Sequence, residues 1–488
     1  MTYDVGRTGP GFQPAPDCPA RQEVRQNEAR KPMNRIAKTT ISRREVLRGT
    51  SALAVVSGLG KFKSFEPQEA VASGGRSGAF PAGFLWGCAS SAHQVEGSNT
   101  SSDIWTLEYL PKSIFSEPSG DACDHYHLYP QDIEMLASLG FNTYRFSLEW
   151  ARIEPEEGFF SRAQLEHYRR MLATCRQYNL TPMLTYSHLS LPRWFAMQGG
   201  WEQKAAADRF ARFCDRATRH LGDLIGYATT LNEPNTPQML KWLKLPESEL
   251  PAWISLPLAL RFERLRIRLQ LNAPDFSNLL LGNAKRTRDG LLAAHAKGKD
   301  AIKAVRPDLP TGFTLTMSDD VPANDESRIA EKREEVYGPW LEAARHCDYL
   351  GVQPYTRTIV GKKDERPPMN AELTQTGMEF YPECVEAVVR YAAKEAGVPI
   401  IVTENGVACE DDARRVEYYT RALRGLKRAI DDGVDVRGSI AWSLLDSFEW
   451  HAGYVPKFGL VAVDRATQKR TPKPSAAMLG AIARRNAL

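Results

Sequence analysis

A closed barrel of eight parallel strands wrapped by helices, an α/β fold of the (β/α)8 TIM-barrel class in a single domain, is what the sequence predicts. Three observations lead there. From residue 80 onward, eight short runs of β-branched or aromatic residues alternate with amphipathic stretches. No interdomain linker or internal repeat interrupts them. No G-x-G-x-x-G turn follows the first run, as an open doubly wound sheet would want.

The eight runs are Phe84–Ser90, Asn142–Trp150, Thr181–His188, Tyr227–Glu233, Thr311–Met317, Tyr349–Tyr355, Pro399–Gly406 and Gly438–Asp446. Between them lie helical patterns. Ser161–Tyr178 places Leu165, Tyr168, Met171, Leu172 and Cys175 on one stripe. Ala205–Leu221 follows the third run, Gly290–Val305 precedes the fifth and Ala413–Ile430 follows the seventh. The long segment Gln238–Asn283, rich in Leu, Pro and Arg, reads as helical cover over one mouth of the barrel.

Charge divides the 488 residues unevenly. Residues 1–72 carry 12 Lys/Arg against 7 Asp/Glu, and the remaining body carries 51 against 52. A body so balanced has no electrostatic case for binding nucleic acid. No apolar run is long enough for a permanent membrane span. Seven of the eight cysteines lie in the body. None forms a C-x-x-C pair or clusters with His at zinc spacing, so they read as small buried thiols, and neither a metal nor another cofactor is expected.

Residues 1–72 read as a cleaved leader, with the (β/α)8 domain at 73–488. Arg43-Arg44 precede a weak apolar stretch, Gly49–Gly60, and Ala70-Val71-Ala72 fits an A-x-A cleavage site. Together these resemble a bacterial twin-arginine signal, which implies the twin-arginine export machinery as a partner and a periplasmic or extracellular destination. Forty-one residues ahead of Ser42-Arg43 are long for such a signal, which makes Met33 an alternative start.

In barrels of this class the chemistry gathers at the carboxyl ends of the strands. The fourth run ends Thr230-Leu231-Asn232-Glu233-Pro234 and the seventh Thr403-Glu404-Asn405-Gly406. Two glutamates, each beside an Asn at one barrel mouth, are the apparatus of glycoside hydrolysis: one carboxyl holds a proton for the leaving oxygen, the other stays ionised.

Six motifs in order carry a resemblance to glycoside hydrolase family 1, the β-glucosidase family. They are F-P-A-G-F-L-W-G-C-A-S-S-A-H-Q-V-E-G (Phe80–Gly97), Y-R-F-S-L-E-W (Tyr144–Trp150), T-L-N-E-P, T-E-N-G, W-S-L-L-D-S-F-E-W (Trp442–Trp450), and Tyr454 with F-G-L at Phe458–Leu460. The resemblance runs from Phe80 to about Ala476. It implies a retaining β-glycosidase acting on a carbohydrate substrate, with Glu404 as nucleophile and Glu233 as acid/base. Arg145 would lie near Glu404 and keep it ionised, and Tyr355 would hydrogen-bond it. Gln94, His188, Asn232 and Glu449 would hold sugar hydroxyls, Asn232 facing the 2-position. Trp442 would be the platform under the ring, with Trp450 beside it.

The chain departs from that pattern in places. Leu189 stands where an aromatic is usual, Ser447 where Asn is common and Lys457 where Arg is common. Gln353 replaces the usual Asn two residues before Tyr355, which puts an expected bond to Glu233 in question. A transglycosylase on the same scaffold and a catalytically silent sugar-binding protein are the competing readings.

Overall fold

The computed structural model describes residues 78–243 and 256–488. The leader expectations fall on residues 1–72, outside the described residues. Eight strands form the barrel: β1 Leu85–Ala89, β2 Thr143–Ser147, β3 Thr181–Ser187, β4 Tyr227–Asn232, β5 Thr311–Pro322, β6 Tyr349–Val360, β7 Ile400–Val402 and β8 Val436–Trp442. Every neighbouring pair is parallel. β1 bridges β2 and β8, and the pairing of β5 with β6 completes the closed ring. The single-domain (β/α)8 barrel predicted from the alternation is the fold observed.

The strands are buried on both faces, which is why they read as near-continuous apolar runs. Leu85, Met183, Tyr349, Ile401 and Ile440 fill the barrel interior. A second, larger core lies between strands and helices, with Phe146, Leu184, Phe313 and Val352 meeting Leu172, Phe213 and Trp340. Each such side chain contributes roughly 1.5–3 kcal/mol on burial.

Helix Arg162–Gln177 buries the predicted stripe and is capped by Ser161, whose hydroxyl accepts from Gln164 N. Helix Ala284–Val305 starts six residues before the predicted Gly290, because Asn283 caps it by accepting from Arg286 N at 3.1 Å. Its Gly298 packs against the Phe210 ring of helix Ala206–Leu221. Helix Asp412–Asp431 lies where predicted. Helices His125–Leu139, Ile329–Val336, Gly338–Ala344 and Cys384–Ala396 were not foreseen. The first contains Pro130, and the two middle ones are short.

Several strand boundaries need correction. β2 stops at Ser147, and Trp150 opens a helical turn to Ile153. Arg145 is therefore mid-strand. β6 continues to Val360, so Tyr355 does not end it. β7 is only three residues long, and Glu404 stands beyond it. Of the predicted helical cover, Thr236–Trp242 and Leu256–Leu271 are helical. The second packs Leu260, Ile267 and Leu271 onto Phe115, Phe448 and Tyr454, beside the loop that follows β8.

Among the described residues no helix is long and apolar enough to cross a membrane. The seven body cysteines are all free; five are buried, while Cys347 and Cys409 are partly so.

Candidate active site

Of the ten residues singled out from the sequence, seven lie on or just after a barrel strand; Gln94 lies in the short helix Ala92–Val95, and Glu449 and Trp450 open the turn Trp450–Ala452 in the loop after β8. Arg145 comes from the middle of β2, fully enclosed at 1% exposure. Its Nη1 donates to Glu404 Oε1 at 2.6 Å and to the Thr403 carbonyl at 3.3 Å, and its Nη2 donates to Asn232 Oδ1 at 2.6 Å. One rigid guanidinium fork thus ties β2 to the ends of β4 and β7. Tyr355 Oη donates to the other oxygen, Glu404 Oε2, at 2.5 Å. Both predicted partners of Glu404 are in place.

The turns carrying the two glutamates are built by neighbouring backbone. Asn405 Nδ2 donates to the Pro354 carbonyl at 2.6 Å and to Tyr418 Oη at 3.1 Å, and Tyr418 Oη donates to the Tyr355 carbonyl at 2.8 Å. That fastens the Glu404 turn to β6. A Cβ on Gly406 would come within 2.0 Å of the Trp442 carbonyl, so only glycine lets this turn pass β8. Glu233 has φ +45°, in the left-handed region. Its N donates to the Thr314 carbonyl at 3.0 Å, and its carbonyl accepts from Thr236 N and Oγ1. Asn235 extends the β4–β5 contact by side chain: its Nδ2 reaches the Thr316 carbonyl at 2.8 Å and its Oδ1 accepts from Thr316 N at 3.2 Å. Sequence reasoning passed over Asn235, Thr316 and Tyr418; the N-E-P-N spelling was the only local hint of the first.

The two carboxyls differ in surroundings. Burial is the largest influence on Glu233, followed by the charge of Glu404; these push its pKa up to about 8, against smaller pulls from Thr316 and Arg145. Burial also raises Glu404, but contact with Arg145 and Tyr355 opposes it directly. At Glu404 desolvation outweighs the cation, and the difference between the glutamates comes from which one the cation touches. Glu449 is pushed well above the usual carboxylate range, chiefly by burial and further by Glu404. Ser447 Oγ, 3.2 Å from its Oε1, and Trp442 pull the other way.

The other residues singled out from the sequence surround this centre. Gln94 is fully buried; its Nε2 donates to the Phe448 carbonyl at 2.7 Å and its Oε1 accepts from Ser91 Oγ at 2.6 Å. His188 Nε2 faces Asn232 Nδ2 at 3.2 Å, and its Nδ1 has no partner among the described residues. Burial, aided by Arg145, holds its pKa well below the usual value. The neutral ring accepting at Nε2 carries its hydrogen on Nδ1, a donor without a protein partner. Four rings form a row: Trp442 stacks on His188 at 5.7 Å, His188 on Trp450 at 6.3 Å, and Trp450 on His93 at 5.8 Å. His93 is held behind the row by Glu108 and Asn99, at 2.8 and 2.9 Å. Gln353 makes no hydrogen bond to Glu233; its Nε2 donates to Asn232 Oδ1 at 2.9 Å. Among the described residues no group of three or more His, Cys, Asp or Glu side chains could hold a metal ion.

The profile of Glycosyl hydrolase family 1 matches residues 76–254 and 345–488. The chain belongs to glycosyl hydrolase family 1. It is 30% identical over 467 residues to the 1,4-beta-D-glucan glucohydrolase of Thermotoga neapolitana, covering 84% of this chain and 99% of that one. It is 31% identical to Thermostable beta-glucosidase B of Thermobispora bispora, over 84% of this chain and 92% of that relative. Among solved structures, the apo beta-glucosidase 1317 superposes with TM-score 0.79 at 43% identity, covering 83% and 99% of the two chains. The beta-glucosidase of Thermotoga maritima in complex with castanospermine superposes with TM-score 0.73 at 27% identity, covering 84% and 99%. This family 1 chain is an O-glycosyl hydrolase, a β-glycosidase.

Proposed function

We propose that this family 1 enzyme hydrolyses terminal β-D-glucosides with retention of configuration, Glu404 being the nucleophile and Glu233 the acid/base. The observation that carries the assignment is the one-sided placement of Arg145, which contacts Glu404 at 2.6 Å and leaves Glu233 without an ion pair among the described residues. Substrate class follows the relatives, whose names describe glucosidases and a glucan glucohydrolase.

In the first step a carboxylate oxygen of Glu404 attacks the anomeric carbon. Tyr355 and Arg145 fix the rotamer of Glu404 and spread its charge. The glycosidic C–O bond breaks as Glu233 gives its proton to the leaving oxygen, and a glycosyl ester of Glu404 remains. Esterification removes the negative charge that had raised Glu233. Its pKa falls, so the Glu233 carboxylate now accepts a proton from water as that water attacks the anomeric carbon. The C–O bond to Glu404 breaks and the sugar leaves with its original configuration. Asn232 Nδ2 is turned toward the sugar's 2-position, where contacts strengthen in the transition state. Gln94, His188 and Glu449 take the remaining hydroxyls, and Trp442 underlies the ring. A retaining pair would stand about 5–5.5 Å apart.

Proton NMR of the first-formed sugar tests the mechanism. A β-anomer from a β-glucoside is expected; an α-anomer would overturn both roles. Glucose and galactose nitrophenyl β-glycosides compared side by side test the glycone. We also propose that residues 1–72 direct twin-arginine export to the periplasm or beyond, on the strength of Arg43-Arg44, the weak apolar stretch and Ala70-Val71-Ala72.

A further inference from the structure

Three donors converge on one oxygen at the end of β4. Asn232 Oδ1 accepts from Arg145 Nη2 at 2.6 Å, Gln353 Nε2 at 2.9 Å and Thr314 Oγ1 at 3.1 Å. The amide nitrogen on the other side donates to His188 Nε2 at 3.2 Å, and its second hydrogen has no acceptor among the described residues. Were the amide to flip, its NH2 group would face Arg145 Nη2, which can only donate, and the charge-assisted bond would be lost; leaving such a buried group unpaired costs about 1–3 kcal/mol. Gln353 Nε2 and Thr314 Oγ1 add two further bonds to the same oxygen.

The three donors are not equivalent. Arg145 also holds Glu404, so altering it disturbs the nucleophile. Gln353 is enclosed at 0% exposure, hydrogen-bonds neither glutamate, and its Oε1 has no partner among the described residues. Its only hydrogen bond among them is the one to Asn232. It sits on β6 in register with Thr316 of β5, two positions before Tyr355. From there a side chain one methylene longer than Asn reaches β4, two strands away in the ring.

We infer that Gln353 is a positioning residue for Asn232, locking its amide so that Nδ2 faces the 2-hydroxyl of the bound sugar. This rests on the hydrolytic reading above and adds a residue with no other bond in the site. Gln353 acts only through Asn232, so its removal harms only substrates that carry a 2-hydroxyl. A residue needed merely for packing would harm all substrates alike.

The test compares aryl β-glucoside with its 2-deoxy counterpart. Gln353→Met keeps length and loses the amide. It is expected to lower kcat/KM for the glucoside about five- to tenfold and for the 2-deoxy substrate by less than about twofold. In an Asn232→Ala background the same change is expected to be silent on both substrates. The 2-deoxy rate shows that the variant is folded, and near-UV circular dichroism gives a second check. Equal losses on both substrates, or a full effect of Gln353→Met in the Asn232→Ala background, would overturn the positioning role. If Asn232→Ala loses selectivity for the 2-hydroxyl while Gln353→Met does not, the proposal falls and the hydrolytic reading stands. If Asn232→Ala itself leaves that selectivity unchanged, Asn232 does not read the 2-position and the proposal falls with that contact. Absence of any β-glucosidase activity in the parent enzyme would instead refute the hydrolytic reading.

Discussion

Replacing Glu404 with Gln removes one negative charge and little volume, and its effect on Glu233 can be worked out in advance. Glu233 sits at a pKa of about 8 in the folded enzyme, raised first by burial and second by Glu404. Burial is unchanged in the variant. What disappears is the repulsion between two carboxylates, about 3 kcal/mol at a retaining separation of about 5.5 Å and an effective dielectric constant of about 20. That corresponds to about two pH units. Glu233 in Glu404→Gln is therefore expected to titrate near about 6, still above an ordinary glutamate because burial persists. Carbon-13 labelling of glutamate, with the Glu233→Gln/Glu404→Gln double variant as the difference reference, resolves the signal. In the parent enzyme, kcat/KM should fall as pH rises through about 8, where Glu233 gives up the proton that the leaving oxygen needs. A Glu233 that stays near 8 in Glu404→Gln would sink the claim that its proton affinity is switched by the state of Glu404. So would an upward move.

Glu404→Ala should abolish turnover, and added azide should rescue it as α-glycosyl azide, whereas Glu233→Ala with a good leaving group should give β-glycosyl azide; exchanged products would exchange the roles. Glu233 keeps its proton to about 8 when folded, against about 4.5 ordinarily, so the folded state loses stability as pH climbs through that window. Glu233→Gln should accordingly raise Tm by on the order of 2–4 °C at about pH 9 and by less at about pH 5, measured by calorimetry; equal gains at both would show that charge is not the cause. Arg43→Lys with Arg44→Lys should leave active, uncleaved precursor in the cytoplasm of a host with twin-arginine export, and continued appearance of mature enzyme outside would refute the leader assignment.

The alternation of strand and helix was legible because parallel strands buried on both faces leave dense apolar runs, as in Thr181–Ser187 and Thr311–Met317. Glu233 and Glu404 were legible because carboxylates directly after such runs stand out. The partner of Gln353 was not. Its bond to Asn232 crosses from β6 to β4, and that meeting depends on the register with which β4 joins β5, where Thr229 pairs with Gly312 and Asn232 with Thr314. The two strands advance by different numbers of residues there, and no local pattern encodes such a shift. Asn235 escaped notice for a similar reason. Its side chain does the work of a ladder step, which sequence periodicity assigns only to backbone. The length of β7 was overestimated because Thr403–Gly406 is as buried as a strand while its backbone has already turned.

Asn232 and Glu233 are neighbours in the chain with opposite duties, and one backbone angle separates them. Asn232 is the last residue of β4 and points into the barrel, where its oxygen meets the guanidinium of Arg145. Were Glu233 also extended, alternation would send its side chain to the opposite face, away from the sugar. Its φ of +45° instead turns the chain after the strand and keeps the carboxyl within electrostatic reach of Glu404 while no ion pair forms with the cation. A non-glycine residue in that region costs on the order of 1–3 kcal/mol. The bonds of Thr236, Asn235 and Thr314 around the turn offset it. Arg145 could not serve both glutamates without lowering both. By holding Glu404 and the amide of Asn232 with its two nitrogens, it leaves Glu233 as the carboxyl that keeps a proton. The proposed acid and nucleophile thus differ because one strand end is bent and both terminal nitrogens of one cation are already taken.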